Sequence, residues 1–224
     1  MLANDILGLI KHQSKHLTPI KSVNHNIPTY GLSYPQMSTI AKQIQNPIQF
    51  LDSNTSEVYE LHIIHTMVLK RVKDIDLAIH YFKVYCNIAK EWSVVDSLCQ
   101  RFVIAKVYPK QVFDVLVELS SSSDEFVQRC VAVMCLSHFL NDEYINEVSS
   151  LLLQLKCEGY YTQMAIAWAI ATIMVQYPEH AISLLMSQNL FDWTQRKTIQ
   201  KIQESYRVSP SLKQQAKKLK RESK

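Results

Sequence analysis

The sequence predicts an all-α protein, built as an α-solenoid of helical hairpin repeats. Three observations lead to this fold class. Glycine is scarce, with 3 among 224 residues, where average usage would give roughly fifteen. No Asn-Gly or Asp-Gly pair, the usual sign of a tight β-hairpin, occurs in the chain. Aromatic residues also recur at nearly constant spacing at the start of helix-like segments.

The glycine shortage excludes two classes of nucleotide-binding protein. Gly-x-Gly dinucleotide loops and Walker phosphate loops need several glycines close together. In this chain Gly8, Gly31 and Gly159 lie far apart. Neither motif is present, and any binding of phosphate must use other groups.

The aromatic residues that open the helical segments define a repeat of about 34 residues. Successive openers are 33, 34, 34 and 33 residues apart, and a second helical pattern lies in each interval. Two helices per repeat of this length indicate HEAT-like hairpins, which bury their apolar faces against neighbouring units. Tetratricopeptide repeats share the period, but their Leu-Gly and Ala/Pro signatures are absent. The openers are Tyr59, Trp92, Phe126, Tyr160 and Trp193, and the second helices are predicted at 75–88, 110–119, 144–155 and 178–186.

The chain is predicted to form one domain over 1–224. Residues 1–50 contain a helix from 4 to about 16, an irregular proline-containing stretch and a helix from 36 to 45. The repeats follow over 51–209, and a basic tail over 210–224. Gly159 is expected to end the turn before its helix. Polar side chains that accept hydrogen bonds from first-turn N–H groups are expected from Ser53, Thr55, Ser123, Asp124 and Asp192.

Positive charge is concentrated at the C-terminal end of the chain. The net charge is +4, but residues 193–224 carry ten Lys or Arg and two Glu. Arg196 and Lys197 lie near a helix start, where the helix dipole disfavours cations, so a phosphate partner is the better explanation for them, and Lys201 is a further candidate. The tail is open to three interpretations: a solvated helix end, a nucleic-acid contact or a frayed terminus. Its cations are Lys213, Lys217, Lys218, Lys220, Arg221 and Lys224.

Neither a metal site, a cofactor nor a membrane anchor is predicted. No apolar run reaches the ~18 residues of a membrane span, and the first ten residues lack the basic start of a secretion signal, so we expect a cytoplasmic protein. The pairs His12 with His16 and His62 with His65 have ligand-like spacing but no third ligand, which favours surface histidines. Reduced core thiols are expected for Cys86, Cys99, Cys130, Cys135 and Cys157.

The repeat allows equivalent positions to be compared within one chain. Four residues after the opener, Asp96 stands where three other repeats have an apolar residue. A buried carboxylate is costly unless it is paired, and perturbed acids cluster at functional sites. Alternatively, Asp96 is a first-turn carboxylate that stabilises a helix N-terminus. The equivalent residues are Ile63, Cys130, Met164 and Lys197.

Several short motifs, in order, resemble one family. They are Tyr30-Gly31 with Pro35 and the IAK at 40–42, EWSVVD at 91–96, FVQR at 126–129, YYTQMAIAW at 160–168 and KIQESYRVS at 201–209. With this order and spacing the chain resembles the DNA alkylation repair family, the AlkD-like helical-repeat DNA glycosylases.

The resemblance implies excision of 3-methyladenine and 7-methylguanine from double-stranded DNA that lies along a concave basic face, without base flipping. By position, Asp96 is expected to stabilise positive charge on the deoxyribose and to orient the attacking water. Trp92 and Trp168 are expected to pack against sugar and backbone, and Arg129 to hold a phosphate. From the residues alone, Trp92 and Trp168 are usual core aromatics, and Arg129 is a possible partner of a nearby carboxylate. Trp193, which has no role in the family, is predicted to be a core aromatic. We expect a monomer that needs no metal.

One segment departs from the family pattern. The glycosylases carry an additional helix between the first helix and the Tyr-Gly motif, but the interval of about 15–29 is short and contains Pro19 and Pro28. This departure supports an alternative, a non-catalytic paralogue that binds a DNA structure. A third alternative is a helical scaffold for a protein partner.

Overall fold

A computed structural model describes residues 1–15, 17–18, 27–53 and 58–221. Within these ranges all regular structure is helical, with thirteen α-helices and one 3-10 helix. The predicted all-α fold class is confirmed. No helix in the described part is long and apolar enough to cross a bilayer.

The chain divides into two compact units, residues 1–112 and 113–224. The prediction of one repeat domain concerns both units together and stays a prediction. The helices of the first unit are α1 (Ala3–Gln13), α2 (Tyr34–Gln43), α3 (Pro47–Ser53), α4 (Tyr59–Leu69), α5 (Ile75–Ile88), α6 (Trp92–Arg101), the 3-10 helix Val103–Lys106 and the start of α7 (Pro109–Leu119).

The second unit contains the rest of α7 and six further helices. They are α8 (Glu125–His138), α9 (Ile145–Gln154), α10 (Tyr160–Gln176), α11 (Pro178–Met186), α12 (Asp192–Glu204) and α13 (Pro210–Lys218).

The repeat predicted from aromatic spacing is confirmed. Helices α4, α6, α8, α10 and α12 each begin at the aromatic opener or one residue before it. The second helices α5 and α11 have the predicted bounds, and α7 and α9 agree to within one residue at each end. Helices α3 and α13 and the 3-10 helix were not predicted.

Helix α4 is the centre of unit 1, where it packs against α2, α6, α3 and α1. Ten of its eleven residues are buried, so other parts of the unit cover every side of this helix. His62 and His65 are therefore buried, and their prediction as surface histidines is wrong. The ring of His65 stacks on Tyr85, and Nδ1 of His62 lies 2.5 Å from the Tyr85 hydroxyl.

Helix α10 has the same central role in unit 2, where it packs against α8, α12 and α11. Cys130 and Cys135 of α8 are fully buried, and burial raises the pKa of the Cys135 thiol to about 12. All five cysteines are free, as predicted, but Cys157 is only half-buried.

Of the predicted caps, one is confirmed and two are corrected. Asp124 Oδ1 accepts hydrogen bonds from the N–H groups of Phe126 and Val127. Ser53 instead ends α3, where its hydroxyl accepts from the N–H of Ala3. Asp192 is the first residue of α12 rather than the residue before it, and it forms an ion pair with Arg221. Gly159 directly precedes α10. Thr55 lies outside the described residues.

Most of the basic tail is ordered structure. Helix α13 begins at Pro210. Beyond it, the side chain of Arg221 forms hydrogen bonds with other residues of unit 2. Its guanidinium donates to the carbonyl oxygens of Leu190 and Ser187 at 2.7 and 2.5 Å and to Asp192 at 2.8 Å. A frayed terminus is therefore the wrong interpretation up to residue 221, whereas Lys224 lies outside the described residues.

Glycine is required by geometry at Gly31. Its φ is +85°, and a Cβ added there would collide with the carbonyl of Thr18. A left-handed backbone in contact with another backbone segment leaves no room for a side chain. The Tyr-Gly pair is therefore a structural motif of unit 1.

Candidate functional site

Helix α6 places Trp92 and Asp96 one turn apart on the same face. Trp92 is the first helical residue and its surface is 38% exposed, whereas Asp96 is 9% exposed. The sequence interpretation of Trp92 as a core aromatic is therefore wrong. The structure therefore places an accessible indole one helical turn before a nearly buried carboxylate.

The position of Asp96 argues against a role as a helix-start residue. Because α6 begins at Trp92, Asp96 lies in the second turn, and no acidic residue occupies the first. The free N–H groups and most of the dipole effect belong to the first turn. Stabilisation of the helix terminus therefore gives no reason for a carboxylate at this position.

Hydroxyl groups line the start of α6. Ser93 Oγ lies 3.3 Å from both the Tyr59 hydroxyl and Glu91 Oε1, and its single proton is shared between these two acceptors. Burial raises the pKa of the Tyr59 phenol to about 12, so Tyr59 is neutral at physiological pH and keeps its proton.

Of the three apolar residues at positions equivalent to Asp96 in other repeats, two are buried in the structure. Ile63 and Cys130 are fully buried, as expected. Met164 is only half-buried, so its prediction as a core residue is wrong. Asp96 still occupies a position that two neighbouring repeats fill with buried apolar groups.

Arg129 and Trp168 belong to unit 2. Arg129 is 4% exposed, and its Nη1 donates to the carbonyl of Tyr161 at 2.9 Å, which ties α8 to α10. Trp168 is half-buried in the middle of α10. Thus Trp92 and Asp96 share one helix face of unit 1, and Arg129 and Trp168 occupy separate helices of unit 2.

The candidate cations of α12 are half-exposed. Lys197 Nζ donates to Gln200 Oε1 at 2.9 Å and lies 5.7 Å from the ring centroid of Trp193. Trp193 is itself 38% exposed, so its prediction as a core aromatic is wrong. It precedes the buried face of α12, which begins at Thr194. Arg196 and Lys201 are also half-exposed.

Sequence reasoning missed a basic cleft in unit 1. This cleft has a volume of about 440 Å³ between α2, α4 and α6, and no acidic residue is among the described residues that line it. We call it the basic cleft. Its cations are Lys42, Lys70, Arg71 and Arg101.

Both arginines of the basic cleft are held in place. Arg101 Nη1 donates to Ser97 Oγ at 3.1 Å, and its guanidinium lies 5.4 Å from the ring centroid of Tyr34. Arg71 Nη1 donates to the carbonyl of Ala41 at 3.0 Å. Since a guanidinium has five N–H donors, these bonds position each arginine and leave other N–H donors for a ligand. Cations at helix C-termini were a sequence signal for this cluster, although they also suit the helix dipole.

No group of three or more His, Cys, Asp or Glu side chains in the described ranges is arranged to hold a metal ion. His16, one member of the predicted pair with His12, lies outside those ranges.

These features define a class: an α-helical repeat protein with exposed aromatics and clustered cations that suit an anionic partner. The chain belongs to the family of DNA alkylation repair enzymes, because the sequence model with that description matches residues 9–206. The resemblance noted from the motifs is confirmed at the level of the family, and the protein has a role in DNA alkylation repair. Comparisons with curated proteins and with solved structures find no significant match.

Proposed function

We propose that the protein is a DNA glycosylase that excises cationic N3- or N7-alkylated purines from duplex DNA without flipping the base. Membership of the alkylation repair family supports the substrate class. The observation that carries the proposal is the second-turn carboxylate of Asp96, which has a buried apolar equivalent in two other repeats and an exposed tryptophan one turn away.

The alkylated purine carries a positive charge before the reaction. When the N-glycosidic bond breaks, its electron pair goes to the base, which leaves as a neutral purine. Positive charge then develops on the deoxyribose. The carboxylate of Asp96 stabilises that charge, and its nearly buried position strengthens the interaction because water screens it less.

Water completes the reaction. The Asp96 carboxylate accepts a hydrogen bond from a water molecule, which adds to C1′ of the sugar, and the proton passes to the carboxylate or to solvent. The Trp92 indole packs against the sugar and limits the access of other water. The base is already a good leaving group, so no general acid is required.

Each unit, taken separately, offers cations for backbone phosphates. In unit 1 the basic cleft supplies four cations, and no carboxylate belongs to the described residues at its walls. In unit 2 we assign phosphate contacts to Arg196, Lys197 and Lys201, and retain the family role of Arg129. Such contacts position the duplex and carry no base sequence information.

Release of 7-methylguanine and 3-methyladenine from methylated duplex DNA tests the proposal. Asp96→Asn keeps the shape of the side chain and removes the charge, so we expect the rate to fall at least about 100-fold, as for the loss of one electrostatic group. Asp76→Asn, at an exposed carboxylate of α5 in the same unit, is the matched control. If the wild-type protein releases neither base above background, the glycosylase assignment is wrong.

A second candidate is a non-catalytic paralogue that binds a DNA structure. The contact of Arg129 with Tyr161 favours it, because a side chain buried in this way also has a purely structural explanation. The short interval that motivates this alternative lies largely outside the described residues. Binding to branched and linear duplex DNA without base release is the expected behaviour, and affinity that is constant as salt rises would contradict contact with phosphates.

A further inference from the structure

An aromatic cleft opens on unit 2, where α10 and α12 begin. It is walled by Tyr160, Phe191 and Trp193, with Glu158 also at its lining, and its volume is about 280 Å³. Small-molecule sites usually measure ~300–1,000 Å³. The aromatic cleft lies just below this range and is large enough for the flat ring system of one nucleobase.

The rings of this cleft are unusually accessible. Tyr160 is 56% exposed and Trp193 is 38% exposed, with ring centroids 5.7 Å apart in an edge-to-face arrangement. Both residues open a repeat helix, at the position that Trp92 occupies in α6. A cluster of large exposed apolar side chains calls for a binding partner, whereas a single one does not.

Buried polar side chains fix the floor of the cleft. Thr194 Oγ1 donates to Gln163 Oε1, and Gln163 Nε2 donates to the carbonyl of Cys157 at 2.5 Å. Gln163 and Thr194 are both buried and both line the cleft. These bonds hold the floor in place, so that a ligand does not have to order it.

Cations continue from the cleft along α12. Trp193, Lys197 and Lys201 are spaced four residues apart and therefore share one helix face. The Lys197 ammonium is close to the Trp193 ring. A ring that stacks with a base, followed by cations that meet phosphates, is the combination with which proteins bind unpaired nucleic acid.

We propose that the aromatic cleft binds an unpaired nucleobase of a DNA strand, with the adjoining phosphates on Lys197 and Lys201. The base stacks against Trp193 and Tyr160. Glu158, an exposed carboxylate, accepts a hydrogen bond from the exocyclic amino group that adenine, cytosine and guanine carry and thymine lacks. This inference rests on the proposed function only in taking DNA as the partner, since the proposed excision leaves the lesion unflipped and needs no base pocket.

Two probes test the inference with the full chain. One is a single strand of about ten nucleotides, within the usual site size, in an adenine and a thymine version. The other is a duplex with a single-base bulge of 2-aminopurine, compared with the same duplex fully paired. We expect tighter binding of the bulged duplex than of the paired one, fluorescence quenching of the bulged base, and preference for the adenine strand.

Variants assign these effects to the cleft. Trp193→Ala is expected to weaken binding of the single strand and the bulged duplex about tenfold, because loss of base stacking has an effect of this order. Trp193→Phe is expected to retain most of the affinity, since it retains a ring. Tyr206→Ala is the matched control, because Tyr206 is a fully exposed aromatic of the same unit outside the cleft. Glu158→Gln is expected to reduce the preference for adenine.

The results that overturn the inference are specific. If the wild-type protein binds the bulged and the paired duplex equally well, the cleft does not bind a base. The same conclusion follows if Trp193→Ala and Tyr206→Ala weaken binding of the bulged duplex equally. The single-strand measurement does not depend on base release. If the protein releases no base but still prefers the bulged duplex, the glycosylase assignment is wrong and this inference holds. If it releases bases but binds both duplexes equally, only this inference is wrong.

Discussion

The imidazole of His65 stacks on the phenol ring of Tyr85, with centroids 3.7 Å apart and planes 7° from parallel. The pair lies in the core of unit 1, where His62 also contacts Tyr85. Burial, and secondarily the proximity of His62, lowers the pKa of His65 from 6.5 to about 3. The folded protein therefore contains a neutral His65 at every pH above the acid range.

The free energy of unfolding is expected to fall as the pH drops below 6.5. Between pH 6.5 and about 3 the unfolded chain binds a proton at His65 that the folded chain does not, so this contribution is complete above pH 6.5 and decreases towards pH 3. At pH 5 the loss is about 2 kcal/mol. Urea unfolding at pH 7 and pH 5 measures it. The His65→Phe variant keeps an aromatic ring against Tyr85, and its free energy of unfolding is expected to fall less between pH 7 and pH 5 than that of the wild type. An equal fall in both proteins would contradict the assignment of this effect to His65.

Two glycine substitutions are expected to act in opposite directions. Gly31→Ala forces a Cβ onto the carbonyl of Thr18 at a φ of +85°, so we expect a loss of stability of about 1–3 kcal/mol. Gly8→Ala is the control, because Gly8 lies inside α1 and no atom of the residues that the structure describes is within 4 Å of an added Cβ. It is expected to stabilise the protein by ~0.5–1 kcal/mol. Thermal or urea unfolding separates the two, and a stable Gly31→Ala protein would contradict the geometry.

Replacement of Glu60 by Gln is expected to loosen the Tyr-Gly motif. Glu60 Oε1 accepts hydrogen bonds at 2.8 Å from the N–H groups of Tyr30 and Gly31 and from the Thr29 hydroxyl. A neutral amide oxygen is a weaker acceptor for these donors, and we expect a loss of about 1–3 kcal/mol. Amide hydrogen exchange at Tyr30 and Gly31 is the measurement. Unchanged protection there would show that other contacts hold the segment.

Neutralisation of the basic cleft is expected to reduce the salt dependence of DNA binding. Lys42→Gln combined with Lys70→Gln removes two cations that line the cleft. For every phosphate that the protein no longer neutralises, the plot of log affinity against log salt becomes shallower by about 0.9. Lys11→Gln with Lys73→Gln removes the same charge from exposed positions of unit 1 outside the cleft. If both double variants change the slope equally, the cleft is no special phosphate site.

Most of the fold is predictable from the sequence, and the exceptions have physical causes. Helix α11 begins at a proline, and the amphipathic pattern of α5 is clear, so the bounds of both helices are predicted correctly. Helix α3 has only seven residues, too few for a periodicity to appear. Helix α4 is buried on every side although it carries Glu60, His62, His65 and Thr66, so its polar residues do not mark a solvent-facing side. Its two histidines are therefore wrongly predicted at the surface.

The site is predictable only where it is local in sequence. Trp92 and Asp96 lie one helical turn apart, and this spacing places them on one face of any helix that includes both. The basic cleft combines residues of three helices, which no single segment indicates. Trp193 is predicted in the core because large aromatics usually belong there, and its exposure depends on where the buried face of α12 begins.

The carboxylate in the second turn of α6 has an evolutionary consequence under the proposed function. A hydrocarbon at residue 96, like those that fill the equivalent buried positions, is expected to stabilise unit 1 while it abolishes base excision, a common trade-off at functional sites. Selection for stability alone would therefore remove Asp96. Among relatives of this chain, the residue at this single position is expected to separate lineages that still excise bases from lineages that keep only the scaffold.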